Sequence, residues 1–272
     1  MKKKEIAFSE EINSKILLYY ENFYKSTLGL PNWKKLCKQR LQEEDIYCSR
    51  YIDRIKTWIN ISFLDKRVLV VGSGTGGEVV NFFTEGAEVY GIEPYDPAIE
   101  ISRLKAKSIG LSEQNIKNCK AENIDFRDNF FDFVYCFTVI EHVDDVQKSI
   151  KEMLRVTKVG GYIFLHTPDY RQMYEGHYKL PLPMFLPIWL NKIFLKIYGR
   201  PSGFLDTINK VNSKSIKKLL TRLHVTSLEV HVEREKRTSS RLVVRLIFFI
   251  QDLIYKIFNA SLNQVWLIKK NK

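Results

Sequence analysis

A chain of 272 residues with 45% apolar and 27% charged side chains can bury a sizeable core, which excludes a disordered protein, and fits one large domain with additions or two small ones. The net charge of +12 is unevenly spread: residues 1–60 carry 12 basic against 8 acidic side chains, residues 61–169 carry 12 against 17, and residues 170–272 carry 19 against 6. The middle of the chain is therefore acidic, while its last third calls for an anionic partner, whether nucleic acid, a phospholipid surface or a phosphorylated substrate.

The first residues, MKKKEIAFSEE, start basic as a signal peptide does, but acids interrupt what would be its apolar part, so export by that route is not expected. Residues 12–58 then read as helical. Ile16, Leu17, Tyr20, Phe23 and Tyr24 recur at three- and four-residue intervals, residues 29–32 break the pattern, and Leu36, Leu41 and the row Ile52, Ile55, Ile59 resume it. Short apolar runs follow at 68–71, 89–92, 116–119, 133–139 and 162–166. Amphipathic segments lie between them at 78–85, 97–109 and 144–157, the last opened by Asp144 or Asp145 and closed by Gly160 and Gly161. Strand and helix alternating in this way predict an α/β fold, a parallel sheet covered by helices on both faces. Further on, Asn212 or Ser213 caps a helix bearing Ile216, Leu219, Leu220 and Leu223, residues 226–232 alternate as a strand, and 264–268 form another. The organisation expected is a helical extension over 1–60, a core over 61–169, an insertion over 170–211, and a return to the core over 212–272 that carries an amphipathic insertion at 239–260. The four cysteines, Cys37, Cys48, Cys119 and Cys136, form no CxxC pair and no disulfide framework, which suits a reducing, cytoplasmic setting.

The densest signal is RVLVVGSGTGGEVV, where a strand ends in Gly72, Gly74, Gly76 and Gly77 before a helix. Side chains are stripped from such a connection where the backbone turns tightly or a ligand touches it. The spacing fits both a dinucleotide turn and the turn of methyl-donor enzymes. Glu93 closes the next strand about 20 residues on, where an acid accepts hydrogen bonds from ribose hydroxyls.

Four segments, VLVVGSGTGG, VYGIEP, AENIDFRDNFFDFVYCFTVIEHVDD and LRVTKVGGYIFLHTPD, occur in that order between residues 67 and 169, and through them the sequence resembles the class I S-adenosylmethionine-dependent methyltransferases, in particular the branch containing the ubiquinone-biosynthesis O-methyltransferases. The resemblance implies a Rossmann-like seven-stranded sheet whose last strand, 264–268, runs antiparallel. It implies S-adenosyl-L-methionine as cofactor, with Gly72, Ser73, Gly74 and Gly76 against the methionine moiety, Glu93 on the ribose, Ala121 and Glu122 at the adenine, and Thr138 near the sulfonium. Three residues depart from the pattern: Val70 and Lys120 each stand where an acid is common, and Thr138 replaces the first Glu of an ExxEH pattern that resembles a divalent-metal site in some relatives. No metal is expected on that ground. For a hydroxyl acceptor, His142 is the first candidate base because an ordinary imidazole is largely neutral at working pH; His166 and Asp169, after the fifth strand, follow, and His177 comes behind them.

Two further segments combine apolar and basic residues. Residues 179–200 carry Trp189, Phe194 and Tyr198 with Lys192, Lys196 and Arg200, and residues 241–258 carry Phe248, Phe249, Tyr255 and Phe258 with Arg241, Arg245 and Lys256. Both are too charged to span a bilayer but suit helices lying in an anionic membrane interface, or a lid over the acceptor pocket. These features favour O-methylation of a small-molecule, glycan or lipid-linked acceptor by a cytoplasmic protein peripheral to the inner face of the membrane. TPDY at 167–170 differs from the NPPY and DPPY signatures of amino-methylating DNA enzymes, and no RNA-binding motif is visible, so nucleic acid is the less favoured partner. An RNA methyltransferase using the basic C-terminal region and a non-catalytic donor-binding scaffold remain the alternatives.

Overall fold

The computed structural model describes residues 6–230, Leu253 and 263–271, with the backbone alone at 43–48 and 50. Two of its central strands, β1 (Arg67–Val71) and β4 (Phe131–Phe137), are almost continuously apolar and buried, as parallel strands covered on both faces must be. Around them β2 (Glu88–Ile92), β3 (Ile116–Lys117), β5 (Thr157–Pro168), β8 (Thr226–Glu229) and β9 (Asn263–Lys269) complete one seven-stranded sheet in the order β3-β2-β1-β4-β5-β9-β8. β9 runs antiparallel to both β5 and β8, and the remaining pairs are parallel. This is the expected methyltransferase-like sheet.

Alternation along the strands divides the core in two. Val68, Val70, Phe133, Tyr135, Phe164, Val265 and Leu267 face α3 (Gly77–Thr84) and the C-terminal half of α2 (Trp33–Ile59), which contributes Ile52 and Ile55. Leu69, Val71, Val134, Cys136, Ile163, Leu165, Trp266 and Ile268 face α5 (Val146–Val156) and α7 (Ser213–Arg222). The long α2 contributes to both halves, since Leu36 and Cys37 near its start join the second cluster. At about 1.5 Å per residue its 27 residues reach roughly 40 Å, enough to cross the sheet. The helical extension is thus packed into the core. It begins with α1 (Glu10–Glu21), which Ser9 caps, and a π-helical turn at Asn22–Thr27 leads to the break before α2.

Several boundaries differ from the sequence reading. β3 ends at Lys117 instead of continuing to Cys119. Helix α5, capped by Asp145, stops at Val156 and passes directly into β5, so Gly160 and Gly161 lie inside a strand instead of closing a helix. The register between β4 and β5 shifts there, and Gly161 sits so close to the Asp132 carbonyl that an added Cβ would approach it to 2.8 Å. The described part of β8 ends at Glu229. The amphipathic insertion expected at 239–260, with its apolar-basic run 241–258, lies outside the described residues apart from Leu253.

After β5 the chain makes a small hairpin of β6 (Tyr174–Glu175) and β7 (Leu180–Pro181), then α6 (Ile188–Ile197). Helix α6 anchors itself through buried Asn191 and Leu195, leaving Trp189, Ile193 and Ile197 exposed at four-residue spacing, with Phe185 and Tyr198 exposed beside them.

Candidate active site

Strand order reverses between β1 and β4, and the crevice beyond their carboxyl ends is where an open parallel sheet binds ligands. The turn leaving β1 has left-handed backbone at Gly72, Gly74 and Gly76, with φ of +66°, +50° and +88°. Two of these glycines are required by the protein itself. A Cβ on Gly72 would lie 2.3 Å from a Val139 methyl, and one on Gly76 would meet Ser102 at 2.9–3.0 Å. Gly74 differs, since nothing stands within 4 Å of where its Cβ would be, and so it presents bare backbone to open space. Ser73 is buried, its N–H donating to the Ile92 carbonyl at 2.9 Å while its hydroxyl has no partner.

Glu93 joins the second strand to this turn. Its Oε2 accepts the Gly74 N–H at 2.9 Å and its Oε1 accepts the Tyr95 N–H at 3.0 Å. Burial raises its pKa, opposed by those two backbone donors. The carboxylate is therefore fixed in the crevice with lone pairs to spare. The turn is also gripped from outside the minimal fold: the Tyr20 hydroxyl lies 3.3 Å from the Thr75 hydroxyl, and Tyr19 packs 6.1 Å from Tyr95 with its pKa raised by burial and by the nearby Glu93 charge. Sequence reasoning missed both tyrosines. Tyr20 read there only as part of an apolar helix stripe and Tyr19 was not singled out, since no local pattern ties α1 to a loop 55 residues away.

Ala121 and Glu122, four and five residues beyond the end of β3, are buried. Oε1 of Glu122 accepts the N–H groups of Asp144 and Asp145 at 2.6 and 3.2 Å, bracing the entry to α5 and leaving Oε2 for any further partner. Lys120 turns outward to Asp144 at 2.6 Å. Thr138, just beyond β4, holds a left-handed conformation (φ +54°) that a β-branched side chain adopts only under constraint, and its N–H donates to the His166 carbonyl at 2.8 Å.

The expected acid–base residues separate. His166 follows the two-residue alternation of β5 onto the α2 side, stacked 4.2 Å from Phe137 and tilted against Tyr51 at 5.2 Å, with neither ring nitrogen hydrogen-bonded. Burial lowers its pKa to about 3. That placement corrects the expectation of a base, because the ring is a core residue. Asp169 is corrected likewise: it is fully buried, binds the Arg171 guanidinium and accepts the N–H of Arg171 at 3.1 Å, tying the end of β5 to the start of α7 through Ser213. His142 does stay at the crevice, but burial, then the neighbouring His177 charge, lower its pKa to about 4, far below the range that suits a base at neutral pH. It packs edge-on to His177 at 5.2 Å, and Phe204 lies against both rings. Burial also lifts Glu141 to about 7. His177 is raised, because its hydrogen bond to Glu175 and that residue's charge outweigh the lowering by burial. The signal for Glu175 and His177 was the local YEGHY, two polar residues on one turn amid aromatics.

The architecture is similar to that of a solved S-adenosylmethionine-dependent methyltransferase from Archaeoglobus fulgidus, 17% identical, covering 85% of this chain and 98% of that one with a TM-score of 0.53. Residues 69–165 match the family described as a methyltransferase domain. A ubiquinone biosynthesis O-methyltransferase of Shewanella sp. (strain ANA-3) is 32% identical over 102 residues, 38% of this chain and 43% of the relative. Residues 69–165 are thus similar to a methyltransferase domain, set in an architecture similar to that of a solved S-adenosylmethionine-dependent methyltransferase. A sterol 4-C-methyltransferase of Caenorhabditis elegans is 27% identical over 148 residues, 52% of this chain and 42% of that protein. The matched stretches thus span less than half of these two curated relatives; the glycine turn and Glu93 lie within residues 69–165, whereas the exposed face of α6 falls outside them.

Proposed function

We propose that the chain binds S-adenosyl-L-methionine in the β1–β4 crevice and transfers its methyl group to a hydroxyl of a small-molecule, glycan or lipid-linked acceptor presented at an anionic membrane surface. The observation that carries this reading is the bare turn of Gly72 to Gly76 joined to Glu93 by the Gly74 N–H. When bound, the cofactor would supply a methyl group carried on a sulfonium, which would leave as a neutral thioether as the acceptor oxygen takes the methyl and gives up its proton to solvent. The cofactor supplies the reactive group, so the protein's task is orientation. Gly72, Ser73, Gly74 and Gly76 hold the methionine part, Glu93 the ribose hydroxyls, and Ala121 with Oε2 of Glu122 the adenine edge. Thr138 stands beside the sulfonium. The acceptor enters over the ring cluster of His142, His177 and Phe204, which adjoins the donor turn through Val139.

Membrane delivery is supported by α6. Trp189, Ile193 and Ile197 stand 59%, 48% and 74% exposed on a helix that also carries Lys192 and Lys196. An apolar stripe bordered by lysines suits the interface of an anionic bilayer. Among the described residues no helix is long and apolar enough to cross a membrane.

Calorimetry with S-adenosylmethionine and its demethylated product tests the donor assignment; no heat with either, together with saturation by a nicotinamide dinucleotide, would overturn it. Incubation with radiolabelled donor and fractionated extract then tests the acceptor class. Label in the lipid or glycan fraction is expected, and label confined to nucleic acid would sink that part.

A further inference from the structure

Two cations come near each other beside the crevice, from elements far apart in sequence. Arg40, in the first half of α2, donates from Nε to the Tyr24 hydroxyl at 2.9 Å, and its guanidinium lies 5.5 Å from the Tyr20 ring. Tyr20 stacks on Tyr24 at 5.6 Å and reaches Thr75 of the glycine turn, while Phe23 packs 5.5 Å from Phe204 in the ring cluster. Arg40 is thereby fixed between the two halves of the crevice. Its charge acts both on Tyr19, next to Glu93, and on His177 in the ring cluster.

The second cation is Lys179, the last residue of the β6–β7 turn. It stays exposed, while desolvation, and then the charge of Arg40, lower its pKa. Its neighbours are compensated: His177 is bonded to Glu175 at 2.6 Å, and Lys192 of α6 pairs with Asp206 at 2.7 Å. Among the described residues no carboxylate is paired with Lys179, and the charge acting on it is that of a second cation. Lys179 also holds φ +54°, a left-handed backbone that lysine seldom adopts. A like-charge pair with one member on costly backbone loses stability until an anion bridges it.

We propose that Arg40 and Lys179 bind a phosphate group carried by the acceptor. The inference rests on methyl transfer in the crevice and narrows the acceptor to one that bears a phosphate ester. Phosphate suits the pair better than a carboxylate: its oxygens can meet the planar fork of a guanidinium on one side and the point charge of an ammonium on the other. Lys179 lies outside residues 69–165, so the hairpin that carries it is an addition to the matched domain, as a feature that selects an acceptor should be. Residues 33–42 add Lys34, Lys35 and Lys38 to Arg40 and contain no acid, a local excess that draws an anion toward the crevice.

The test is calorimetry and thermal melting of the full chain, with the demethylated donor present, titrated with inorganic phosphate, glucose 1-phosphate and farnesyl phosphate in neutral detergent. Glucose and farnesol are the uncharged controls. Saturable binding of a phosphate probe and of neither control is expected, and the tighter of the two esters tells a soluble source from a lipid one. Lys179→Asn should weaken phosphate binding about 10- to 100-fold, as should Arg40→Gln. Without ligand, Lys179→Asn should melt at or above the wild-type temperature, because asparagine tolerates the left-handed backbone and the like charge is gone. Should Arg40→Gln fail to fold for want of its bond to Tyr24, Lys179→Asn carries the comparison. No phosphate binding by the wild-type chain, or equal binding by wild type and Lys179→Asn, overturns the site. A loss of affinity for the demethylated donor as large as that for phosphate would assign the pair to the donor and also overturn it. A chain that binds the demethylated donor but no phosphate loses only this site, whereas one that binds neither loses the donor assignment.

Discussion

The two halves of the crevice are made differently. On the proposed donor side, backbone does the work: Gly74 presents bare backbone to open space, Glu93 clamps its N–H, and these residues lie within a short stretch of chain. On the acceptor side, side chains do it, and they come from β4's exit, the β6–β7 turn and the 3-10 turn at Gly203–Thr207. Backbone-built sites leave a dense local trace in sequence because few residues tolerate the required φ values. Side-chain sites assembled over long separations leave almost none.

The largest effects should therefore come from the donor turn. Gly72→Ala adds a Cβ 2.3 Å from Val139 at a backbone φ of +66°, so both sterics and conformation oppose it. A loss of at least about 2 kcal/mol of stability and of measurable donor binding is expected in thermal melts and calorimetry. Val139→Ala in the same chain should return part of both, since it removes the colliding methyls; failure to do so would locate the defect elsewhere. Glu93→Gln comes next. It keeps the shape but removes the charge that ribose hydroxyls would meet and turns an NH2 group toward one of the two backbone N–H groups that Glu93 accepts, so donor affinity should fall about 10- to 100-fold together with about 1–2 kcal/mol of stability.

These contrasts explain what the sequence made visible. The alternation of strands and helices follows from apolar periodicity and the glycine turn from its punctuation, whereas the seven-stranded sheet with an antiparallel last strand rested on the resemblance carried by four segments, and the strand order was not legible. The end of α5 was misread because Gly160 and Gly161, which punctuate helices, here serve a strand irregularity beside Asp132. His166 and Asp169 were misread for a related reason. Position after a strand brings a residue to the crevice rim, but strand parity sends His166 to the α2 side, and the Arg171 guanidinium converts Asp169 into a tie. Tyr20 on Thr75 and His177 beside His142 depend on tertiary contacts that no local period encodes.

A smaller effect, confined to one region, should follow from α6. Ile193→Glu and Ile197→Glu place charge on its exposed stripe, each removing about 2 kcal/mol of apolar transfer to a bilayer. Flotation with vesicles containing anionic lipid should show binding by the wild-type chain and loss in the double variant, at unchanged affinity for the demethylated donor. Vesicle binding that both charges leave intact would separate α6 from the membrane.

The mildest expected change is a pH dependence set by His166. Burial holds its pKa near 3 in the folded chain, whereas in the unfolded chain it titrates near its ordinary value of 6.5. Below that ordinary value the unfolded state takes up a proton that the folded state refuses, so the contribution of this residue to stability is complete above about pH 6.5 and declines as the pH falls toward 3. Between pH 7.5 and pH 5 the loss from this ring is on the order of 1–2 kcal/mol, at 1.36 kcal/mol per unit below the ordinary value. His166→Leu removes the titrating group and the two unpartnered nitrogens while retaining an apolar contact with Phe137. Its melting temperature should match or exceed that of the wild-type chain at pH 7.5 and fall less steeply on acidification. An unchanged acid slope would mean that the proton taken up on unfolding belongs to other groups: His142, lowered to about 4 by burial, or carboxyls such as Glu88 and Glu152, held low by their hydrogen bonds to Tyr90 and Arg155.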